Sequence, residues 1–171
     1  MKDNADKHSK KERIIMRNYY EAVDVDLLNL IRDVENNRAS IPVTVGYLNE
    51  SQCKRIKKAL DTKREVAPRC VIDASAIAHI LKKHGPKGKS DQSLSDINDI
   101  ARLPYVLANF DSVSFEGKYS KRFRDDDGQL APQVMIKKKI DGTYYVIEAI
   151  PSGKRKKSYI VSARIEKRVE L

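Results

Sequence analysis

The chain has no long apolar run, only two cysteines and only three histidines. Each shortage closes off a class of protein. No stretch approaches the ~20 apolar residues that a membrane-spanning helix needs, so no membrane role is expected. Met1 to Arg13 is charged throughout and holds no apolar core of a signal peptide. That predicts a disordered start and no export signal of the usual kind. Cys53 and Cys70 form no CxxC pair and have no histidine near them in sequence. A structural zinc site usually needs four such ligands at set spacings. Both cysteines therefore read as reduced, small apolar residues. Internal repeats, a P-loop and a dinucleotide fingerprint are also missing. No cofactor and no metal site is expected.

What remains is a charged, core-forming chain. Hydrophobic residues make up 40% and charged residues 34% of its 171 positions. That suits one compact domain with an extension. Its net charge is +10. From Lys118 to Leu171, fourteen Lys and Arg stand against seven Asp and Glu, so +7 of the total lies in that last third. Such a surface favours a polyanionic partner, nucleic acid above all; a solvated lysine-rich face is the plain alternative.

Apolar residues at Ile15, Tyr19, Val23, Leu27, Leu30 and Val34 recur every three or four positions. They predict an amphipathic helix over Ile14–Val34. Val43–Leu48 reads as a short strand, Asn49–Leu60 as a helix and Arg69–Ile72 as a second short strand. Asp73 is placed to cap a helix through Ala76, Ile77, Ile80 and Leu81, which Gly85-Pro86 stops. Ser93 and Asp96 fit a capping box for a helix reaching Arg102, with Pro104 at its end. From there the period becomes two, and Ser112–Lys118, Pro132–Ile140, Thr143–Ile150 and Ser158–Ile165 read as strands. Arg124–Gly128 reads as an exposed loop, and Pro151-Ser152-Gly153 starts a turn. Asp141-Gly142 is a strong two-residue hairpin signal. Helices first and an antiparallel meander after them predict an α+β fold, with N-terminal helices packed on a four-stranded antiparallel β-sheet. The expected division is a charged N-terminal extension over 1–40, with its amphipathic helix, and a compact domain over 41–171.

The chemistry concentrates in His79-Ile80-Leu81-Lys82-Lys83-His84-Gly85, which holds two of the three histidines. Imidazole exchanges protons near neutrality. Five residues apart on a helix, the two rings project about 140° from each other. A metal pair at the four-residue spacing would share a face, so this spacing weakens a metal reading, although the two rings could converge if the helix ends near Lys83 and His84 swings out. His79 also fits a core histidine bonded to backbone, and His84 a solvated helix end where the dipole favours imidazolium. If Asp141-Gly142 forms a two-residue turn, Lys138 pairs with Tyr145 and shares a face with Val134, Ile136 and Ile140. A lysine in an apolar row is unusual. It could stabilise a phosphorane or snorkel at the sheet edge. Lys137 and Lys139 point the other way, toward a phosphate-tracking surface. Ser162 in the last strand could bond a phosphate oxygen, and Arg164 on the same face could grip one with its fork. Together these groups suit RNA cleavage by the ribose 2′-hydroxyl, which needs a base, an acid and cations but no metal.

At this point the chain resembles the phage-borne barnase–EndoU–colicin–RelE-like nucleases over Val43–Ile165. The matching blocks run in order. Val45-Gly46-Tyr47-Leu48 and Ala78-His79-Ile80-Leu81-Lys82-Lys83-His84-Gly85 come first. Leu103-Pro104-Tyr105-Val106-Leu107, Asp111-Ser112-Val113 and Lys137-Lys138-Lys139-Ile140-Asp141-Gly142 follow. Tyr145-Val146-Ile147-Glu148 and Ile160-Val161-Ser162 close the series. The resemblance implies a metal-independent endoribonuclease that leaves a 2′,3′-cyclic phosphate. It also implies a toxin module of phage, mobile-element or interbacterial conflict systems, with an acidic immunity protein as inhibitor. Its place of action would be the cytosol of a bacterial cell, reached by phage or a secretion system.

By the match, His79, His84, Lys138 and Ser162 are the expected catalytic residues. The hairpin lysine falls on Lys138 or Lys139, and the cross-strand pairing selects Lys138. Lys137, Lys139, Arg164 and Tyr145 are the expected substrate-binding residues. The last strand reads Ser162-Ala163-Arg164 where the family often has Thr followed shortly by Tyr. RNA is the expected partner, transfer RNA among the classes. The alternative is a non-catalytic RNA-binding or virion interaction domain.

Overall fold

The computed structural model describes residues 9–125, 127–152 and 155–167. Most of the expected disordered start, together with Asp126 and Gly153, lies outside these. Two helices, α1 (Lys10–Glu21) and α2 (Val25–Glu35), form where the apolar spacing predicted one. Asp24 separates them. Its backbone is extended and its carboxylate accepts from the Leu27 amide, which starts a new helix. The spacing carried no trace of the break because both helices turn their apolar stripes to one core. Tyr19, Leu27, Leu30 and Ile31 are all buried there.

Strand β1 (Val43–Tyr47) leads to α3 (Glu50–Leu60), whose start is a reciprocal Asn49–Gln52 capping box. Strand β2 (Arg69–Ile72) feeds α4 (Ala74–His84), capped by Asp73 as expected. A Cβ at Gly85 would come within 2.7 Å of the Leu81 carbonyl oxygen, so the helix ends on a glycine. The expected Ser93 helix does not start there. Ser93 Oγ instead accepts from the Ile165 amide, and the short helices α5 (Asn98–Ala101) and α6 (Leu103–Ala108) follow. Pro104 sits in the first turn of α6, where a missing amide costs nothing, and does not end a helix.

Strands β3 (Ser112–Arg124), β4 (Leu130–Ile140), β5 (Thr143–Ile150) and β6 (Ser158–Lys167) complete the chain. Asp141 and Gly142 both take positive φ and close the predicted hairpin, which pairs Lys138 with Tyr145. The sheet is six-stranded and mixed, in order β1-β2-β6-β5-β4-β3, where four antiparallel strands were expected. The four-strand meander is present within it. The difference arises because β2 joins β6 in parallel and brings β1 along as its antiparallel neighbour.

All six helices contribute to one face of this sheet, against Val134, Ile136, Ile147, Ile160 and Ala163. The opposite face carries Met135, Val146, Glu148 and Ser162, which cross-strand pairing aligns. Parallel pairing of β2 with β6 involves only Ser158 and Tyr159 of β6. Helix α4 packs along β6. It gives Ile77 and Ile80 to the core and leaves His79 exposed. Cys53 and Cys70 are free thiols. Among the described residues no helix is long and apolar enough to cross a membrane.

Candidate active site

On the face away from the main core, a cleft of about 320 Å³ opens between α4, β3, β5 and β6. His79 stands at its helix side. Glu148 and Ser162, cross-strand partners on β5 and β6, form its floor. Strand β3 supplies the far wall. Its pairing with β4 is interrupted between Phe115 and Tyr119, and Gly117 within that gap takes φ +77°, a conformation that L side chains avoid. Beyond this bend Lys118, Tyr119, Lys121 and Arg122 line the cleft. Arg122 Nη2 donates to Asp73 Oδ2 at 2.9 Å, which ties the wall to the N-cap of α4. Burial alone would raise the Asp73 pKa, but that guanidinium and the Ala76 amide bring it below the usual carboxylate range.

Glu148 is the centre of the electrostatics. It is only 3% exposed, and among the described residues three side chains donate to it. Lys118 Nζ reaches Oε1 at 2.6 Å, Gln133 Nε2 reaches the same oxygen at 3.4 Å, and Arg164 Nη1 reaches Oε2 at 3.2 Å. A buried carboxylate requires such partners. Beside it, Ser162 Oγ is buried and has no hydrogen-bond partner among the described residues. An orphaned buried hydroxyl is rare and asks for an explanation.

The imidazole of His79 makes no hydrogen bond among the described residues. Its partial burial holds its pKa below the ordinary value. Glu148 opposes that shift, while His84, Lys83 and Lys118 add to it. No group of three or more His, Cys, Asp or Glu is arranged to hold a metal ion among the described residues.

Of the residues expected to be catalytic, the cleft brings together His79 and Ser162 and does not include His84 or Lys138. His84 lies at the C-terminal end of α4 with Nδ1 2.9 Å from Asp91 Oδ2. Burial works against ionised Asp91, yet hydrogen bonds from Ser93 and from His84 keep its carboxyl below the usual range. Lys138 is on the helix side of the sheet, the same side as Ile136 and Ile140, with Nζ 3.1 Å from Asp111 Oδ1. Cross-strand parity that picked Lys138 out of the apolar row also carries it away from Glu148.

The expected binding residues scatter as well. Lys137 Nζ is 4.0 Å from Glu166. Lys139 lies over the Tyr144 ring, 6.0 Å from its centroid. Tyr145 packs against Tyr19 at 4.6 Å, and burial pushes its hydroxyl up to about 12. Arg164 is committed to Glu148 and Glu166, so it orients the Glu148 carboxylate.

Sequence reasoning missed Glu148, Lys118, Arg122 and Gln133. One signal was present. Glu148 interrupts Val146, Ile147, Ala149 and Ile150, and a charge inside such a run is as unusual as Lys138 in its own. Lys118 and Arg122 had no such signal, because only the bend at Gly117 brings them over the sheet.

The model of a family described as phage-Barnase-EndoU-ColicinE5/D-RelE like nuclease 3 matches residues 46–170. The match contains every cleft residue named above. No curated protein and no solved structure matches the chain.

Proposed function

This chain belongs to that phage barnase–EndoU–colicin–RelE-like nuclease family, and we propose that it is a metal-independent endoribonuclease whose reaction centre is the His79–Glu148–Ser162 cleft. The observation that carries this reading is Glu148, a buried carboxylate gripped by two cations in the cleft that His79 lines. An ionised carboxyl offers about four lone-pair positions, and three donors leave one for a fourth. A ribose 2′-hydroxyl takes it.

Glu148 accepts the 2′-hydroxyl proton as the 2′-oxygen bonds to phosphorus. The P–O5′ bond breaks, and the imidazolium of His79 protonates the departing 5′-oxygen. Lys118 and Arg122 stabilise the phosphorane oxygens, and Ser162 Oγ donates to one of them. The product is a 2′,3′-cyclic phosphate, and DNA is spared for want of the 2′-hydroxyl. His79 charges readily enough for this role once bound phosphate, an anion, raises its pKa. His84 lies outside the cleft with Asp91 on its Nδ1, and it acts on His79 only as a neighbour that lowers the His79 pKa. Within this reading the protein is a toxin module acting on RNA in a bacterial cytosol, and its cationic cleft is the surface that an acidic immunity protein would cover.

Purified protein incubated with mixed RNA in EDTA tests the reading. Cleavage to 2′,3′-cyclic phosphate ends supports it. Retarded but intact RNA would instead indicate a binding module without catalysis.

A further inference from the structure

Next to the reaction cleft, on the same sheet face, is a second cavity of about 310 Å³. That is the lower end of the range for small-molecule sites. The two share three strands. Gln133, Glu148 and Val161 line the first, and Ala131, Ile150 and Tyr159, two residues along each strand, line the second. Two strand residues span about 7 Å, so a chain lying across both would move from one to the other within a single nucleotide step.

The second cavity is built differently from the first. Phe123 and Tyr159 stack in its wall with centroids 4.7 Å apart and planes at 28°. The guanidiniums of Arg122 and Arg155 lie 4.7 and 5.2 Å from the Phe123 centroid. Arg122 lines the first cavity and reaches the Phe123 ring in the wall of the second. Asp61, Glu65 and Asp125 line this one together with Arg64, Arg124 and Arg155, so its charges balance, and Arg64 is paired with Asp125. Such a lining offers a phosphate no net attraction. A nucleobase has no net charge and offers a π face to an aromatic wall.

We propose that this cavity is a nucleobase subsite, taking one unstacked base that flanks the phosphate being cut. The inference rests on the nuclease reading above. A paired base cannot reach such a cavity, so the substrate class is single-stranded or looped RNA. Tyr159 is the platform, and Arg122 and Arg155 hold the flanking phosphates.

A 2′-deoxy oligonucleotide, which the enzyme binds without cutting, tests this. Single abasic positions are walked along it. In the wild type one position should weaken binding roughly tenfold or more, the scale of a lost base stack. The same loss should appear in His79→Ala, and in Tyr159→Ala it should shrink to within about twofold, near the limit of additivity. An equal loss in Tyr159→Ala, or no sensitive position in the wild type, overturns the subsite. A second measurement needs no variant. 5-Iodo-2′-deoxyuridine at the sensitive position should photocrosslink to Tyr159 or Phe123, and crosslinks confined to Tyr119 would overturn the proposal. Because the deoxy strand is only bound, a failure to cleave RNA counts against the nuclease reading alone. A loss of base dependence counts against the subsite alone.

Discussion

Glu148 and Ser162 are cross-strand partners in opposite states: among the described residues one is crowded with donors and the other has none. Their variants should behave accordingly. Glu148→Gln keeps the shape and removes the base, so single-turnover RNA cleavage should fall by about 10²–10⁴, the share of one acid–base group. Ser162→Ala removes a buried hydroxyl that none of the described residues satisfies, a group whose burial costs about 1–3 kcal/mol. Its melting temperature should hold or rise while kcat/KM falls, as expected where stability is given up for activity. A drop in both would make Ser162 a structural residue. For His79 the sign follows from its depressed pKa. As the acid, it loses its proton above that value, so kcat/KM should decline from a pH below the ordinary histidine range of about 6.5. The decline in kcat should start higher, because bound phosphate raises the same pKa. Lys118→Met removes a cation near the ring and should move the His79 titration upward by NMR; an unmoved titration would detach Lys118 from His79. Stability runs the other way with pH. The unfolded chain takes the His79 proton first, so the wild type loses stability as pH falls through about 6.5. His79→Gln should lose less between pH 8 and 5 in thermal melts.

Helix α4 and the hairpin were legible in the sequence because their signals are local: the Asp73 cap, Gly85 and Asp141-Gly142. The bend in β3 was not, since Gly117 announces a break only when the partner strand is known. A side chain forced into φ +77° pays about 1–2 kcal/mol. Gly117→Val should therefore lower the melting temperature by several degrees. It should also reduce cleavage by more than the stability loss explains, because Lys118 and Arg122 follow the bend. Unchanged turnover in a folded Gly117→Val would remove β3 from the site. Ser93 shows the same limit in reverse. Its capping pattern was readable, yet its hydroxyl serves the Ile165 amide, 72 residues away. The break at Asp24 was hidden because both helices share one core, and period alone does not register a turn between them.

Across the whole molecule, fold class followed from the order of helices and strands, whereas the size of the sheet depended on a parallel contact of two residue pairs between β2 and β6. Net charge was readable as an attraction for polyanions, but its useful part is narrower than the count. Lys137, Lys138 and Arg164 have acidic partners outside the cleft or at its floor. Within the cleft Lys118 pairs with Glu148 and Arg122 with Asp73, which leaves Lys121 as the cleft lysine without an acidic partner among the described residues. RNA affinity should fall linearly in log–log against salt, by ~0.7 per phosphate contacted on a single strand. Lys121→Ala should flatten that slope by about one such unit, and Lys138→Ala should leave it unchanged.

The most direct test compares single-turnover RNA cleavage in EDTA by His79→Ala, His84→Ala and the wild type. Loss of about 10²–10⁴ in His79→Ala, with His84→Ala within about tenfold of wild type, is the predicted result for an acid in the cleft and a neighbour outside it. Full activity in His79→Ala, or a collapse confined to His84→Ala, would contradict it.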